Sequence, residues 1–254
     1  MRYAILSDIH SNLEGLQVAL QKAERAGVDG IVSCGDIIGY NADPGACVDL
    51  VLEKRVRSIR GNHERGLEEL QSGITPNMNP MAMEALRFTE GVLSKMQRDW
   101  LISLPDKALV DGFFCLFHGS PSDPDEYIFD TFEAAYAFKS LVYEYAPPSN
   151  HLCFIGHTHI CAAYEYDGEQ KRVTEKKVSN GLCLPLEPGM HYMFNVGSCG
   201  QYRGGLPRST LCILDGDEMT VEFHFLEYDY KLSREKILAS GLPLFLAERL
   251  AMGQ

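Results

Sequence analysis

Five histidines, two aspartates and one asparagine sit in five short polar stretches, each directly after an apolar run: Asp8-Ile9-His10, Gly35-Asp36, Gly61-Asn62-His63, His118-Gly119 and Gly156-His157-Thr158-His159. Imidazoles, carboxylates and an amide carbonyl make a nitrogen and oxygen donor set without thiolate, which suits Mn, Fe, Zn, Ni or Co better than Mg or Ca. Two divalent ions about 3.5–4 Å apart, bridged by one carboxylate, can clamp both oxygens of an in-line displacement and lower the pKa of a bridging water. Each residue alone also has a plain reading: Asp8 as a helix cap, Asp36 after glycine as a turn residue, His118 as a hydrogen-bonded core histidine. For these residues to be unrelated, the plain reading would have to hold at five strand ends at once.

The elements that must position them follow from hydrophobic periodicity. Tyr3 to Leu6 reads as a buried strand, and Leu13, Leu16, Leu20 and Ala23 then recur at helical spacing up to Gly27. Gly30 to Cys34 is a second strand, Asp43-Pro44 opens a helix, and Val56 to Ile59 is a short third strand. This βαβαβ order predicts a parallel sheet with right-handed crossovers. Residues 65–104 read as a helical insertion interrupted near Gly73 to Pro80, and Leu109-Val110 pairs with Phe113 to Phe117 in a hairpin around Asp111-Gly112. A long loop over 119–130 precedes a helix from Phe132 to Tyr145 and a strand from His151 to Ile155. Segments 160–166, 171–178, 192–196, 210–214 and 219–226 read as strands, and residues 229–252 as closing helices, the second opening near Pro243.

The expected fold is α/β: a four-layer α/β/β/α sandwich of two mixed β-sheets flanked by helices, in one domain over residues 1–254. Its second sheet is expected to be largely antiparallel and drawn from residues after about 150. Ligands in such sheets bind beyond the carboxyl ends of strands, so all five groups can converge on one rim. The pairs Asp8/His10 and His157/His159 would share a face in extended backbone.

Composition narrows the function classes. Hydrophobic residues make up 45% of the 254 residues, enough for a sizeable core. No apolar run approaches the roughly 18 residues needed to cross a bilayer, and the apolar stretch in MRYAILSDIH is too short for a secretory signal. A cytoplasmic location without membrane association is therefore expected. The eight cysteines include no CxxC pair, and Cys34, Cys115, Cys153 and Cys212 fall in buried-strand patterns, which predicts reduced, structural thiols. A net charge of -12 argues against binding to a nucleic-acid backbone. It is compatible with a small anionic substrate, because bound metal ions invert the local field.

The motif series Asp8-Ile9-His10, Gly35-Asp36, Gly61-Asn62-His63-Glu64, His118-Gly119 and Gly156-His157-Thr158-His159 resembles the five motifs of calcineurin-like metallophosphoesterases, in order. The resemblance implies that Asp8, His10 and His159 bind one metal ion, that Asn62, His118 and His157 bind a second, and that Asp36 bridges them. It implies phosphoester hydrolysis by a hydroxide between the metals, with His63 as general acid. Asn195-Val196-Gly197-Ser198, leading to Gly200-Gln201-Tyr202-Arg203, resembles a late signature of a bacterial and archaeal subgroup of phosphodiesterases and diadenosine tetraphosphatases, as does the ending from Gly241 to Leu250. Where Ser/Thr protein phosphatases have Asp and Arg in the pattern GDxxDRG, this chain has Gly39 and Tyr40. Arg can grip phosphate bidentately and Tyr cannot, so phosphodiesters or nucleotide-type substrates are favoured over phosphoproteins.

Asn12 is a candidate helix cap or substrate contact, Tyr40 and Arg203 are candidate substrate contacts, and Arg208 reads as a surface cation. Tyr127, Phe129, Phe132, Tyr136 and Phe138 could frame a nucleobase by stacking, and packing of a helix on the body is the favoured reading. His151, His191 and His224 match no motif. The partner expected is a small phosphorylated substrate, and a homo-oligomer is compatible with it. The rival readings are a metal-binding interaction module of the same fold and a phosphomonoesterase or protein phosphatase.

Overall fold

A computed structural model describes residues 1–142 and 152–254. The chain runs β1 (Arg2–Leu6), α1 (Leu13–Ala26), β2 (Gly30–Ser33), α2 (Pro44–Glu53), β3 (Arg57–Ser58), α3 (Asn62–Gln71), α4 (Pro80–Val92) and α5 (Lys95–Ser103). It continues with β4 (Ala108–Val110), β5 (Phe114–Leu116), α6 (Thr131–Ser140), β6 (Leu152–Ile155), β7 (Cys161–Asp167), β8 (Arg172–Lys176) and β9 (Cys183–Pro185). β10 (Met190–Val196), β11 (Ser209–Asp215), β12 (Thr220–Leu226), α7 (Tyr230–Ala239) and α8 (Leu244–Met252) complete it. The expected helix end at Tyr145 and the strand start at His151 lie outside the described residues. Among the described residues no helix is long and apolar enough to cross a membrane.

The strands form two six-stranded mixed sheets, ordered β3-β2-β1-β11-β12-β9 and β4-β5-β6-β10-β7-β8. Strand alternation builds the layers. Tyr3 and Ile5 of β1, Cys212 and Leu214 of β11, and Leu152 and Phe154 of β6 meet in the core between the sheets. Their neighbours Ala4, Leu6, Leu211 and Ile213 face α1 and α2 on one outside, while Cys153 and Ile155 face α6 on the other. Every cysteine is free.

The division of strands between sheets corrects the sequence reading. β11, β12 and β9 come from beyond residue 150, yet they extend the first sheet, β11 pairing antiparallel with β1, β12 antiparallel with β11, and β9 antiparallel with β12. The hairpin β4–β5 joins the second sheet, where β5, β6 and β10 are parallel neighbours. Each sheet thus has a parallel block, and the parallel blocks deliver the polar loops. The register aligns Leu6 with Ser33 and Ser33 with Ser58 in one sheet, and Leu116 with Phe154 and Ile155 with Asn195 in the other. Hydrogen bonds then tie the loops together: Gly156 N–H donates to His118 O at 2.9 Å within the second sheet, and Gly200 N–H, beyond β10 of the second sheet, donates to Asp8 O at 3.0 Å, beyond β1 of the first.

Candidate metal centre

Asp8 and His10 follow β1, Asp36 follows β2, His118 follows β5, and His157 and His159 lie between β6 and β7. Asn62 and His63 do not lie in a loop after β3. They form the first turn of α3, which starts early because the Glu64 carboxylate caps Gly61. Asn62 is half-buried, and the other seven are buried.

Backbone conformation overturns one expectation. Asp8, His10, Asp36, His157 and His159 have φ of 51°, 47°, 53°, 66° and 62°. The paired residues converge because alternate positions turn left-handed, not because the segments are extended. Left-handed backbone at non-glycine residues costs on the order of 1–2 kcal/mol each, and such strain gathers at functional sites. Two glycines make room. A Cβ on Gly61 would overlap the Asp36 carboxylate, and one on Gly156 would overlap Ser7 Oγ and Asp8 Oδ2.

Four of the candidate metal-binding imidazoles each have one nitrogen fixed by a backbone carbonyl: His10 Nδ1 by Ile38 O at 2.9 Å, His118 Nδ1 by Cys34 O at 2.9 Å, His159 Nδ1 by Gln201 O at 2.8 Å, and His157 Nε2 by Asp125 O at 3.1 Å. A carbonyl only accepts, so these nitrogens carry the protons and the other nitrogens of neutral rings present lone pairs. Those lone pairs face one another. His10 Nε2 lies 3.0 Å from His159 Nε2, His157 Nδ1 lies 3.1 Å from His118 Nε2, and Asn62 Oδ1 lies 3.1 Å from His118 Nε2. Asp8 Oδ1, which has no hydrogen-bond donor among the described residues, is 3.2 Å from His159 Nε2. Asp36 Oδ2 stands between the groups, 3.5 Å from His10 Nε2 and 3.3 Å from His118 Nε2. Acceptors aimed at acceptors in a buried site could hold cations, with the backbone carbonyls fixing the rings.

The electrostatics agree. Burial pushes Asp8 and Asp36 up, but the surrounding imidazoles, led by His159 for Asp8 and His118 for Asp36, hold both below the usual carboxylate range. His118 is raised to about 9, because the Asp36 carboxylate outweighs burial. Burial lowers His157 to about 4 and, with the Arg203 charge, His159 to about 3. Among the described residues three sets of donor atoms could hold metal: Asp8/His10/His159, Asp36/His118/His157 and His10/Asp36/His63.

Among the described residues His63 has no side-chain orienting partner. Its backbone N–H donates to Asp36 Oδ1 at 2.9 Å, and its ring sits edge-on to His10 and Tyr40, with centroids 4.7 Å away in each case. Its Nδ1 has no hydrogen-bond partner among the described residues. A Cβ on Gly39 would overlap that nitrogen, so no carboxylate side chain fits there. Burial lowers His63 to about 3, against the pull of Asp36.

The candidate substrate contacts divide. Asn12 caps α1: its Oδ1 accepts from Gly15 N–H at 3.0 Å and its Nδ2 donates to Gly200 O at 2.7 Å. Ser233 Oγ is a further 3.0 Å partner of Oδ1, so the Asn12 amide is engaged by the protein. Tyr40 is wedged beside His10 and His63. Arg203 donates its backbone N–H to His159 O at 3.0 Å. Arg208 pairs with Glu227 at 3.0 Å, away from the centre. A cavity of about 360 Å³ opens against Asn62 and His157, bounded by Tyr40, Arg65, Met78 and Tyr127. Tyr127 stacks on His157 at 4.0 Å, and Phe129 lies parallel to it at 5.6 Å.

Residue-type reasoning missed the residues that hold the loops. Glu64 is buried, and its carboxylate accepts from Asp36 N–H at 3.0 Å, Ile37 N–H at 2.8 Å, Ile38 N–H at 3.2 Å and Gly61 N–H at 2.8 Å. Its position three residues after Gly61, the capping-box spacing, was the available signal. Asn195 Nδ2 donates to Gly156 O at 2.7 Å, and Ser198 Oγ to Asp8 O at 2.7 Å. Glu64→Ala should leave four buried N–H groups without an acceptor and destabilise the chain by about 3 kcal/mol or more. Urea denaturation checks this, with Glu64→Gln, which keeps one carbonyl acceptor, expected to cost less.

Residues 1–219 match the calcineurin-like phosphoesterase superfamily domain. An uncharacterised protein of Methanocaldococcus jannaschii is 32% identical over 256 residues, covering 99% of this chain and 98% of that protein. A metallophosphoesterase from Sphaerobacter thermophilus is 35% identical, with a TM-score of 0.85 over 100% of this chain and 99% of that one. A hypothetical protein from Pyrococcus horikoshii, 17% identical, shares the fold with a TM-score of 0.77 over 100% of this chain and 98% of that one. The match places the chain among phosphoric ester hydrolases that depend on metal. With its metal-capable residues gathered as that chemistry requires, the chain belongs to the calcineurin-like phosphoesterase superfamily.

Proposed function

We propose that this chain hydrolyses phosphodiesters or nucleotide-type phosphoesters with two divalent transition-metal ions. The observation that carries this reading is the convergence of lone pairs from Asp8, His10, His159, Asp36, His118, His157 and Asn62 on one buried locus. Asp8, His10 and His159 would hold one ion, Asn62, His118 and His157 the other, and Asp36 would contact both. Bound divalent ions supply Lewis acidity to the phosphoryl oxygens and to the attacking water.

The chain's own residues supply position and a proton. Hydrolysis breaks one P–O bond, and the departing oxygen needs a proton. His63 Nδ1 is sealed against Gly39, so delivery falls to Nε2. Burial keeps this ring neutral in the free chain; a phosphoryl anion beside Nε2 favours the imidazolium, as any nearby negative charge does. The cavity beside Asn62 and His157 gives room for a group larger than phosphate, and the exposed aromatic surface of Tyr127 and Phe129 suits a nucleobase.

The purified chain should hydrolyse bis(p-nitrophenyl) phosphate when supplied with Mn²⁺ and lose that activity in excess chelator. Absence of turnover with each of Mn, Ni, Co, Fe and Zn would remove the hydrolytic reading and favour a metal-binding interaction module.

A further inference from the structure

Two arginines flank the metal centre without a carboxylate partner. Half-buried Arg60 and Arg65 elsewhere pair with Asp106, Glu68 and Asp125. Arg203 and Arg249 do not: among the described residues neither has an acidic group within ion-pair distance, in a chain with 35 acidic residues. Arg203 leaves His159 through its backbone hydrogen bond, and its guanidinium makes one contact, to Gln201 Oε1 at 3.3 Å, while its buried Nε has no partner.

Arg249 reaches the same place from the far end of the chain. Leu246, Ala247 and Leu250 of α8 pack against Tyr40, Ala82 and Ala85. This seating lays the Arg249 guanidinium 5.6 Å from the Tyr40 ring centroid and 5.6 Å from that of Phe245, one helical turn back. The Tyr40 ring is in turn 4.6 Å from His10 and 4.7 Å from His63. Stacking uses the flat face of the guanidinium, and Nε donates to Gln254 O at 2.9 Å. The two terminal nitrogens donate to nothing among the described residues. Arg203 is tied by its backbone to His159, whose ring lies 6.3 Å from the Tyr40 ring that Arg249 covers, so both arginines border the same aromatic platform, and burial and then the neighbouring Arg203 charge lower Arg249 from its ordinary value. Holding two such charges together, partly desolvated, is unfavourable unless an anion joins them.

We propose that Arg203 and Arg249 form a binding site for a second anionic group of the substrate, a phosphoryl group other than the one hydrolysed, with Arg249 as a specificity-determining residue supplied by α8. The proposal rests on the neighbouring histidine and aspartate cluster being the hydrolytic site proposed above. Guanidinium groups suit phosphoryl oxygens because their N–H donors match them in pairs. Arg249 covers the Tyr40 ring that also abuts His63, so such a group would be gripped beside the scissile phosphate rather than at it.

Calorimetric titration of the chelator-treated, full-length chain with inorganic pyrophosphate tests this without turnover. Wild type should bind at one site, and Arg249→Gln and Arg203→Gln should each weaken binding about tenfold or more, the scale of one charge-assisted hydrogen bond. Arg249→Lys should bind between wild type and Arg249→Gln, since it keeps charge without the fork. Circular dichroism on each variant separates lost binding from lost folding, and either glutamine variant alone suffices if the other unfolds. No pyrophosphate binding by wild type, or wild-type affinity in a folded glutamine variant, would overturn the proposal. Turnover of bis(p-nitrophenyl) phosphate, measured separately with metal, reports on the hydrolytic reading, so failure of either is visible on its own.

Discussion

Asp36→Asn is expected to lower phosphoesterase activity on the order of 10³-fold, because several kcal/mol of metal-ion stabilisation is at stake at about 1.4 kcal/mol per decade. One oxygen carries the expectation. Asp36 Oδ2 lies 3.5 Å from a nitrogen of His10 and 3.3 Å from a nitrogen of His118, one member of each proposed ligand set. A neutral amide removes the charge both sets share and can turn N–H donors toward a locus built of acceptors. Oδ1 also holds the His63 backbone N–H at 2.9 Å, so the general acid is loosened in the same stroke. Elemental analysis beside steady-state kinetics checks this: both ions should fall together. A full complement of two ions in the asparagine variant would refute the bridging role.

His63→Ala is expected to lower kcat by about 10²–10⁴-fold, the contribution of a positioned general acid, while metal content stays at the wild-type level. The two readouts matter because one of the three metal-capable groups includes His63 with His10 and Asp36. Loss of metal would place His63 among the ligands. Unchanged kcat would remove it from the proton path. The expectation of retained metal rests on four other imidazoles, each with one nitrogen pinned by a carbonyl, whereas His63 is held by ring packing against His10 and Tyr40.

Much of the fold could be read because alternation and helical spacing act locally. β1, α1, β2 and α2 lie close to where periodicity puts them, and Pro243 does open the last helix. The sheet to which β11 and β12 belong could not be read, because pairing depends on which edges meet across the whole chain. The three-residue strand β9 was too short to register as a pattern. The start of α3 was missed because its cap is the Glu64 side chain rather than an N-cap Ser or Asp.

The donor set itself is a property of the sequence. Residue type fixes whether a side chain can give nitrogen or oxygen to a cation, and placing such residues after five apolar runs puts them at strand ends, since strands must bury those runs. Only the tertiary structure decided how they meet. The left-handed turns at Asp8, His10, Asp36, His157 and His159 are strained and are imposed by contacts from elsewhere, such as the four N–H groups on Glu64 and the grip of Ser198 on the Asp8 loop. Gly39 and Tyr40, read in sequence as the absence of Asp and Arg, became in space the flat seat of His63 and the platform for Arg249. That last arrangement joins residues 209 positions apart, and side-chain packing over such a separation leaves no local pattern in the sequence.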